Sequence, residues 1–264
     1  MIRRLIVSAV LVVTASIATP VVATESAAPL SGVNGFHALV RLEPGTSGTD
    51  VADLQQALAD AGFYHFEIDG VFGKTTISAV IAFHKYLRAE RTTTFNALDW
   101  IRLALLPNPG IPYRWNESDY IEVDVGRQLL FLVRDGEVVQ VLPVSTGGGY
   151  TYWSIRQAAY VTARTPHGDF VLRSHQRGWS CDSVTGWCVY KYWAFTSSYG
   201  IHGYRHVPPY PASHGCIRVE LWDADWLEPY LALGMPLHVW DQPPVIPPPP
   251  RPLGPRPPLA VPPD

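Results

Sequence analysis

Two periods of hydrophobic positions divide this chain. From residue 40 to about 106, apolar residues recur every three or four positions, the spacing of amphipathic helices. From about residue 118 the period becomes two, which is typical of strands. The pattern predicts an α+β protein in which a small three-helix N-terminal module at 40–106 precedes a mostly β domain at 118–240. Residues 107–117, dense in proline, are expected to form the linker between them.

The helix ends are predicted from capping residues. Asp50 is expected to cap the first helix, which would end at Gly62. Thr75 or Thr76 should begin the second helix, and Thr94 the third. The positions that recur at helical spacing on one side of these helices, and that could form a small core, are Val51, Leu54, Leu58, Ala61, Ile77, Val80, Ile81, His84, Leu87, Leu98, Ile101 and Leu105.

The β domain is expected to begin with a meander. Residues 121–125 alternate between apolar and acidic side chains, as successive positions of a strand do. Two further strands, at 129–133 and 138–144, flank a turn at Arg134-Asp135-Gly136. This succession of strands differs from a nucleotide-binding βαβ unit.

One segment, residues 201–218, carries candidate chemistry. Cys216 directly follows His214-Gly215, and a second pair, His202-Gly203, lies fourteen positions upstream of the cysteine. A free thiol is only a few per cent thiolate at neutral pH, so an attacking cysteine needs an imidazole to take its proton. The amides of Gly215 and Cys216 could then face the oxyanion of an acyl-transfer intermediate.

Metal binding is the alternative for the same segment. His202, His206, His214 and Cys216 are all able to ligate zinc. Their spacing, however, fits none of the zinc-binding motifs.

The segment resembles the signature of the L,D-transpeptidase (YkuD) family, in which His-Gly is followed by Ser-His-Gly-Cys, a hydrophobic residue and Arg. These residues stand here as His202-Gly203 and Ser213-His214-Gly215-Cys216-Ile217-Arg218. Residues 120–124, 144–147 and 165–170 are similar to the same family, so the resemblance covers roughly 118–240. It implies a mostly β, sandwich-like fold with the catalytic cysteine in a groove.

The resemblance also implies a role for each residue. Cys216 would be the nucleophile and His202 the base, oriented by the Gly203 carbonyl, with His214 and Gly215 completing the catalytic group. Arg218, Ser213 and Tyr204 would bind substrate. The implied reaction cuts a peptidoglycan tetrapeptide stem after its third residue, meso-diaminopimelate, and passes the acyl group to an amine of a neighbouring stem. It needs no metal or cofactor, and carbapenem-type inhibitors are expected.

The helical module resembles a peptidoglycan-binding domain of type 1. That family's pattern is present in Gly45, Gly48, Asp50-Val51, Leu54-Gln55-Gln56 and Asp69-Gly70-Val71-Phe72-Gly73. A second Asp-Gly turn and a Gly-Pro-x-Thr-Trp stretch of the family are missing here. Glycan binding and a purely structural role both remain open for the module.

Export is predicted from residues 1–23, which read as a bacterial signal peptide. Arg3-Arg4 is the basic region and 5–18 the apolar one, although an uncleaved membrane anchor remains an alternative. An exported chain with three cysteines should pair two of them. Cys181 and Cys188 flank a turn, so we predict that they form a disulfide and leave Cys216 free.

Charge and composition limit the kinds of molecule that the protein is expected to bind. Cleavage after residue 23 would change the formal charge from −3 to −5 by removing two arginines, which argues against nucleic acid. The aromatic residues between 179 and 210 could line a groove or fill the core. Residues 242–264 are proline-rich and are expected to be a disordered tail.

Three functions are compatible with these features. The first is an L,D-transpeptidase in the cell wall. The second is an L,D-carboxypeptidase or cysteine hydrolase that uses water as acceptor. The third is a wall-binding protein without turnover.

Overall fold

The computed structural model describes residues 40–106, 109 and 117–241. The predicted signal peptide at 1–23, the predicted tail at 242–264 and most of the predicted linker lie outside the described residues. In the part that is described, every helix is too short or too polar to cross a membrane.

Three helices form the N-terminal part, as the hydrophobic pattern predicts. They are α1 (Thr49–Asp60), α2 (Lys74–Tyr86) and α3 (Ala97–Ala104). The predicted cap at Asp50 is wrong, because Gly48 precedes α1 and no side chain caps it. Asp50 instead lies in the first turn, where a carboxylate still favours the helix dipole.

The third helix starts two residues later than Thr94 predicts. Asn96 forms a capping box, in which its Oδ1 accepts from the Leu98 and Asp99 amides at 2.9 and 3.3 Å. The Asp99 carboxylate in return accepts from the Asn96 amide at 3.0 Å. Asparagine is among the strongest helix caps, so it defines the start of α3.

A buried glutamine organises the turn between α1 and α2. The Gln55 amide nitrogen donates to the Asp69 carboxylate at 2.7 Å and to the Thr76 hydroxyl at 3.0 Å. Its oxygen accepts from the Gly70 amide at 2.9 Å. Gln55 and Asp69, two residues of the wall-binding pattern, therefore build the module's own turn.

The β domain follows from residue 120 and confirms the mostly β prediction. Its described strands and helix are β1 (Tyr120–Asp124), β2 (Leu129–Arg134), β3 (Glu137–Pro143), β4 (Thr151–Ser154), β5 (Ala159–Thr162), β6 (Gly168–Val171), β7 (Ser174–Cys181), β8 (Cys188–Ala194), β9 (Gly200–Tyr204), β10 (Ile217–Glu220), α4 (Leu221–Leu227) and β11 (Pro236–Trp240).

The strands of the described chain divide into two main sheets and a hairpin. The first sheet has the order β3-β2-β1-β11-β6, with β1 and β11 parallel. The second has the order β10-β9-β8-β7, with β9 and β10 parallel. The remaining hairpin is β4–β5.

The first sheet is covered on both faces. One face, which includes Leu129 and Phe131, shares a hydrophobic cluster with the three helices. The other face, which includes Ile121 and Leu130, packs with residues of the second sheet and α4. All of β1 is therefore buried, including Glu122, although its alternating pattern is typical of a strand with one polar face.

We expect Asn96→Ala to lower the free energy of unfolding by about 1 kcal/mol, because the first amides of α3 lose their acceptor. Thermal or urea unfolding measures the change. Asn96→Ser keeps a capping oxygen and should remain close to the wild type. Equal loss in both variants would mean that the cap does not stabilise α3.

Candidate active site

Strand pairing brings the expected nucleophile and base to one edge of the second sheet. β9 and β10 are parallel, and their register sets Ile217 beside Ile201 and Arg218 beside His202. Cys216 directly precedes β10, in line with the first residue of β9. The cysteine and His202 are therefore two strand positions apart, although fourteen residues separate them in the chain.

His202 is a buried, neutral imidazole with a fixed orientation. Its Nδ1 lies 3.0 Å from the Gly203 carbonyl oxygen. Since a carbonyl only accepts, Nδ1 carries the proton and Nε2 is left with a lone pair. Burial lowers the pKa of His202 to about 4. The hydrogen bond to Gly203 opposes this shift, and the positive charge of Arg218 adds to it. The side chain can accept a proton at neutral pH.

Cys216 is a free thiol that stays protonated at rest. Burial raises its pKa, while a hydrogen bond from the Gly200 backbone and the charge of Arg218 oppose that increase. The residue keeps part of its surface exposed. A neutral thiol beside a neutral imidazole differs from a preformed thiolate–imidazolium pair, so deprotonation must accompany attack.

The turn that presents the thiol, residues 213–216, is held by its own side chains; we name it the cysteine turn. The buried Ser213 hydroxyl donates to the Cys216 carbonyl at 2.6 Å and accepts from the Gly215 amide at 3.0 Å. The Thr165 hydroxyl donates to the Gly215 carbonyl at 2.8 Å. The Gly215 amide is thus engaged inside the turn, and the Ser213 side chain serves the backbone.

Gly215 is fixed by conformation and by space. Its φ is +142°, in the region that favours glycine. A Cβ at this position would collide with the Tyr199 ring and lie 2.8 Å from the Arg164 carbonyl oxygen. No other residue type fits this turn without displacing the backbone next to the thiol.

The positive charge of Arg218 acts on His202, His214 and Cys216. Its guanidinium carbon lies 4.2 Å from the centre of the Tyr204 ring, which is a cation–π contact. Its positive charge contributes to lowering the pKa values of His202 and His214 and opposes the raised pKa of Cys216. It therefore favours the neutral imidazole and, after proton transfer, the thiolate.

His214 lies in a group of aromatic rings. The Trp187 ring stacks on it at 4.2 Å between centroids, and the rings of Tyr152 and Tyr150 approach edge-on at 4.4 and 5.5 Å. Burial lowers the pKa of His214, with the nearby Arg218 as the second cause. The neutral imidazole forms part of an aromatic wall beside the cysteine turn.

Two hairpins supply these aromatic rings, and they are joined to each other. Tyr152 belongs to β4, whereas Trp187 directly precedes β8. Arg156, between β4 and β5, forms an ion pair with Asp182, between β7 and β8. A disulfide between Cys181 and Cys188 closes the end of the β7–β8 hairpin. The sequence pointed to the aromatic-rich stretch from residue 179 to 210 but not to Trp187 in particular.

Gln128 had no recognisable signal in the sequence. Its amide nitrogen donates to the Thr146 hydroxyl at 2.6 Å, and its oxygen accepts from the Thr146 amide at 2.8 Å. Thr146 in turn accepts from the amides of Ala212 and Ser213 at the start of the cysteine turn. A fully buried Gln128 between two strands reads in the sequence as an ordinary turn residue.

Across the described residues there is no group of three or more His, Cys, Asp or Glu side chains placed to hold a metal ion.

Comparisons with known proteins identify two domain families in this chain. Residues 118–239 match the family of L,D-transpeptidase catalytic domains, and residues 47–92 match a peptidoglycan binding domain family. No curated protein matches the chain.

One solved structure gives the same assignment. An L,D-transpeptidase from Xylanimonas cellulosilytica is 30% identical over 75% of this chain and 97% of its own, with a TM-score of 0.68. One from Stackebrandtia nassauensis is 20% identical over 75% and 94%, with a TM-score of 0.45. Another L,D-transpeptidase, solved in complex with imipenem, is 20% identical over 47% and 59%, with a TM-score of 0.37. Only the first of these is similar enough to support the assignment.

We expect Gly215→Ala to reduce the alkylation rate of Cys216 by iodoacetamide at least tenfold, because the new methyl group must displace the cysteine turn. The rate of mass increase measures this. Gly149→Ala is the matched control, since Gly149 also has a positive φ, +75°, but a Cβ there meets nothing within 4 Å. Equal rates in the two variants would contradict the steric argument.

Proposed function

This chain belongs to the L,D-transpeptidase family, and on that premise we propose that it is an exported cysteine transferase that forms 3→3 cross-links in bacterial peptidoglycan. The observation that carries the proposal is the buried, neutral His202, held by the Gly203 carbonyl two strand positions from Cys216. Its free Nε2 is the base that a protonated thiol requires.

In the first half-reaction, Sγ of Cys216 attacks the carbonyl carbon of meso-diaminopimelate, the third residue of a tetrapeptide stem. The thiol proton passes to Nε2 of His202. Collapse of the tetrahedral intermediate breaks the amide C–N bond, and His202 returns the proton to the departing D-alanine amine. A thioester on Cys216 remains.

In the second half-reaction, an amine of a neighbouring stem attacks the thioester. His202 takes the amine proton and returns it to the leaving thiolate, which restores the resting pair. Water in place of the amine would make the protein a carboxypeptidase.

Arg218 and Tyr204 are proposed to bind the donor stem. The guanidinium is positioned by the Tyr204 ring and is the shared cation of the site. Its N–H groups suit a stem carboxylate, which accepts two parallel hydrogen bonds. The Ser213 hydroxyl donates to the Cys216 carbonyl and accepts from the Gly215 amide, which supports a role in positioning the cysteine turn.

The proposed function also implies a location in the cell wall, outside the cytoplasm. The peptidoglycan-binding match at 47–92 supports a place in the cell wall and a hold on glycan. Gln55 and Asp69 are engaged in the turn of their own module, so contacts with sugar would have to come from other residues of 40–106. The Cys181–Cys188 disulfide supports an oxidising, extracytoplasmic compartment.

We expect a carbapenem to add one acyl group to the protein, because its strained amide mimics the donor carbonyl and leaves a thioester on Cys216. Intact mass measures the adduct, which should be absent in Cys216→Ala. An adduct that persists in Cys216→Ala, or no adduct on a protein whose thiol is free, would contradict the assignment of the nucleophile.

Product analysis with disaccharide-tetrapeptides separates the remaining functions. Cross-linked dimers are expected from a transpeptidase. Trimmed tripeptide monomers alone would establish the hydrolase instead. Binding to isolated cell walls without either product would establish the wall-binding alternative.

We expect the acylation rate to be flat between about pH 5 and 7 and to fall as pH drops through about 4. The neutral form of His202, whose pKa is about 4, is the active one, and it is lost below that value. Initial rates of adduct formation, with circular dichroism to verify the fold, measure the profile. A midpoint near 6.5, or a continued tenfold rise per pH unit toward the thiol pKa, would contradict a neutral His202 acting as base.

A further inference from the structure

We propose that the helical module, residues 40–106, positions the cysteine turn through Arg91 and Lys85, and that both are positioning residues for acyl transfer. This inference rests on the proposed function of Cys216. It assigns the module a role in catalysis that is separate from any hold on glycan.

A neighbouring backbone segment contacts the cysteine turn from both ends. Residues 144–148, which we call the bracket segment, contact both ends of it. Ser145 and Arg218, which follows the thiol in the chain, exchange two backbone hydrogen bonds of 3.0 Å. At Ser213, which precedes the thiol in the chain, the amide donates to the Thr146 carbonyl at 2.9 Å and the carbonyl accepts from the Gly148 amide at 2.9 Å. The position of the thiol therefore depends on the bracket segment.

Lys85 of α2 holds the beginning of the bracket segment. Its Nζ donates to the Val144 carbonyl at 2.9 Å, and only 1% of the residue is exposed. Burial lowers the pKa of Lys85 well below its ordinary value, with Arg91 as a further cause and Glu220 opposing. Burying an amine is unfavourable unless it is hydrogen-bonded, so this contact has a fixed geometry.

Arg91, between α2 and α3, holds the loop that leads into the cysteine turn. This crossover loop, residues 205–212, connects β9 to the turn. Nη1 of Arg91 donates to the Pro209 carbonyl, and Nη2 lies 3.5 Å from the Arg127 carbonyl. From the other side, the Ser145 hydroxyl donates to the Tyr210 carbonyl at 2.8 Å. The crossover loop is thus fixed between the module and the bracket segment.

The helical module packs against the first sheet in one shared hydrophobic cluster, which restricts its movement relative to that sheet. The Tyr86 and Phe131 rings lie 6.4 Å apart in the shared hydrophobic cluster. The Val141 amide of β3 donates to the Gly62 carbonyl at 2.8 Å. Lys85 and Arg91 therefore connect a packed unit to the Val144 carbonyl of the bracket segment and the Pro209 carbonyl of the crossover loop.

The test compares the maximal rate of acylation by a carbapenem in the full chain. We expect Arg91→Ala to lower this rate about tenfold or more, because small displacements of a nucleophile are costly for catalysis. The half-saturating concentration should change little, since Arg91 contacts the crossover loop rather than the cysteine turn itself. Arg91→Lys should recover part of the rate, because one amine can reach one of the two carbonyls.

Two further variants separate positioning from stability. Arg41→Ala removes an exposed arginine of the same module and should acylate like the wild type. Lys85→Met keeps the length of the side chain without its donor and should slow acylation as Arg91→Ala does. A purely structural role would lower the melting temperature and leave the rate of the folded fraction unchanged. If Arg91→Ala does not fold, Arg91→Lys and Lys85→Met decide.

Folded Arg91→Ala and Lys85→Met proteins that acylate at the wild-type maximal rate would overturn the inference. Failure of the proposed function looks different, because the wild type itself would then take no acyl group. In that event iodoacetamide alkylation of Cys216 compares the same variants. Slower alkylation than in Arg41→Ala would support positioning by the module, and equal alkylation would overturn it.

Discussion

The parallel pairing of β9 with β10 is the constraint on which the site depends. Parallel strands that are consecutive in the chain need a connection that returns from the end of one to the start of the other. Here the return is made by the crossover loop and the cysteine turn, without a helix. Such a connection is long and irregular, and its backbone polar groups need partners. Arg91, Ser145 and Thr146 supply them.

The electrostatics of the site follow from this arrangement. Pairing His202 beside Arg218 places a permanent cation next to a buried imidazole, so both burial and charge favour the neutral ring. The same cation favours the thiolate once the proton has left Cys216. A protonated, poorly nucleophilic thiol at rest also reacts slowly with adventitious electrophiles. Reactivity is thus reserved for a substrate that brings its carbonyl to the base and nucleophile together.

Sequence reasoning reached the fold class and the family, since each has a local signature. The nucleophile and base that it proposed lie two strand positions apart in the structure. It was wrong about the caps at Asp50 and Thr94, because capping depends on backbone geometry that Gly48 provides for α1 and Asn96 for α3. It gave Gln128 no role, since a partner eighteen residues away leaves no local trace. It did not predict that the helices cover one face of the first sheet. Long-range packing of this kind cannot be read from hydrophobic period alone.

The position of β11 has a consequence for the order in which the protein assembles. This strand comes from the C-terminal end of the described chain, yet it lies between β1 and β6 in the first sheet. A growing chain emerges N-terminus first, so β1 and β6 are synthesised before β11, the described strand that pairs with both of them. The bond between Ser145 and Arg218 likewise closes a long loop of chain. The first sheet is therefore completed only after Cys216 has been synthesised, and reactivity toward acyl donors reports completion of the whole β domain.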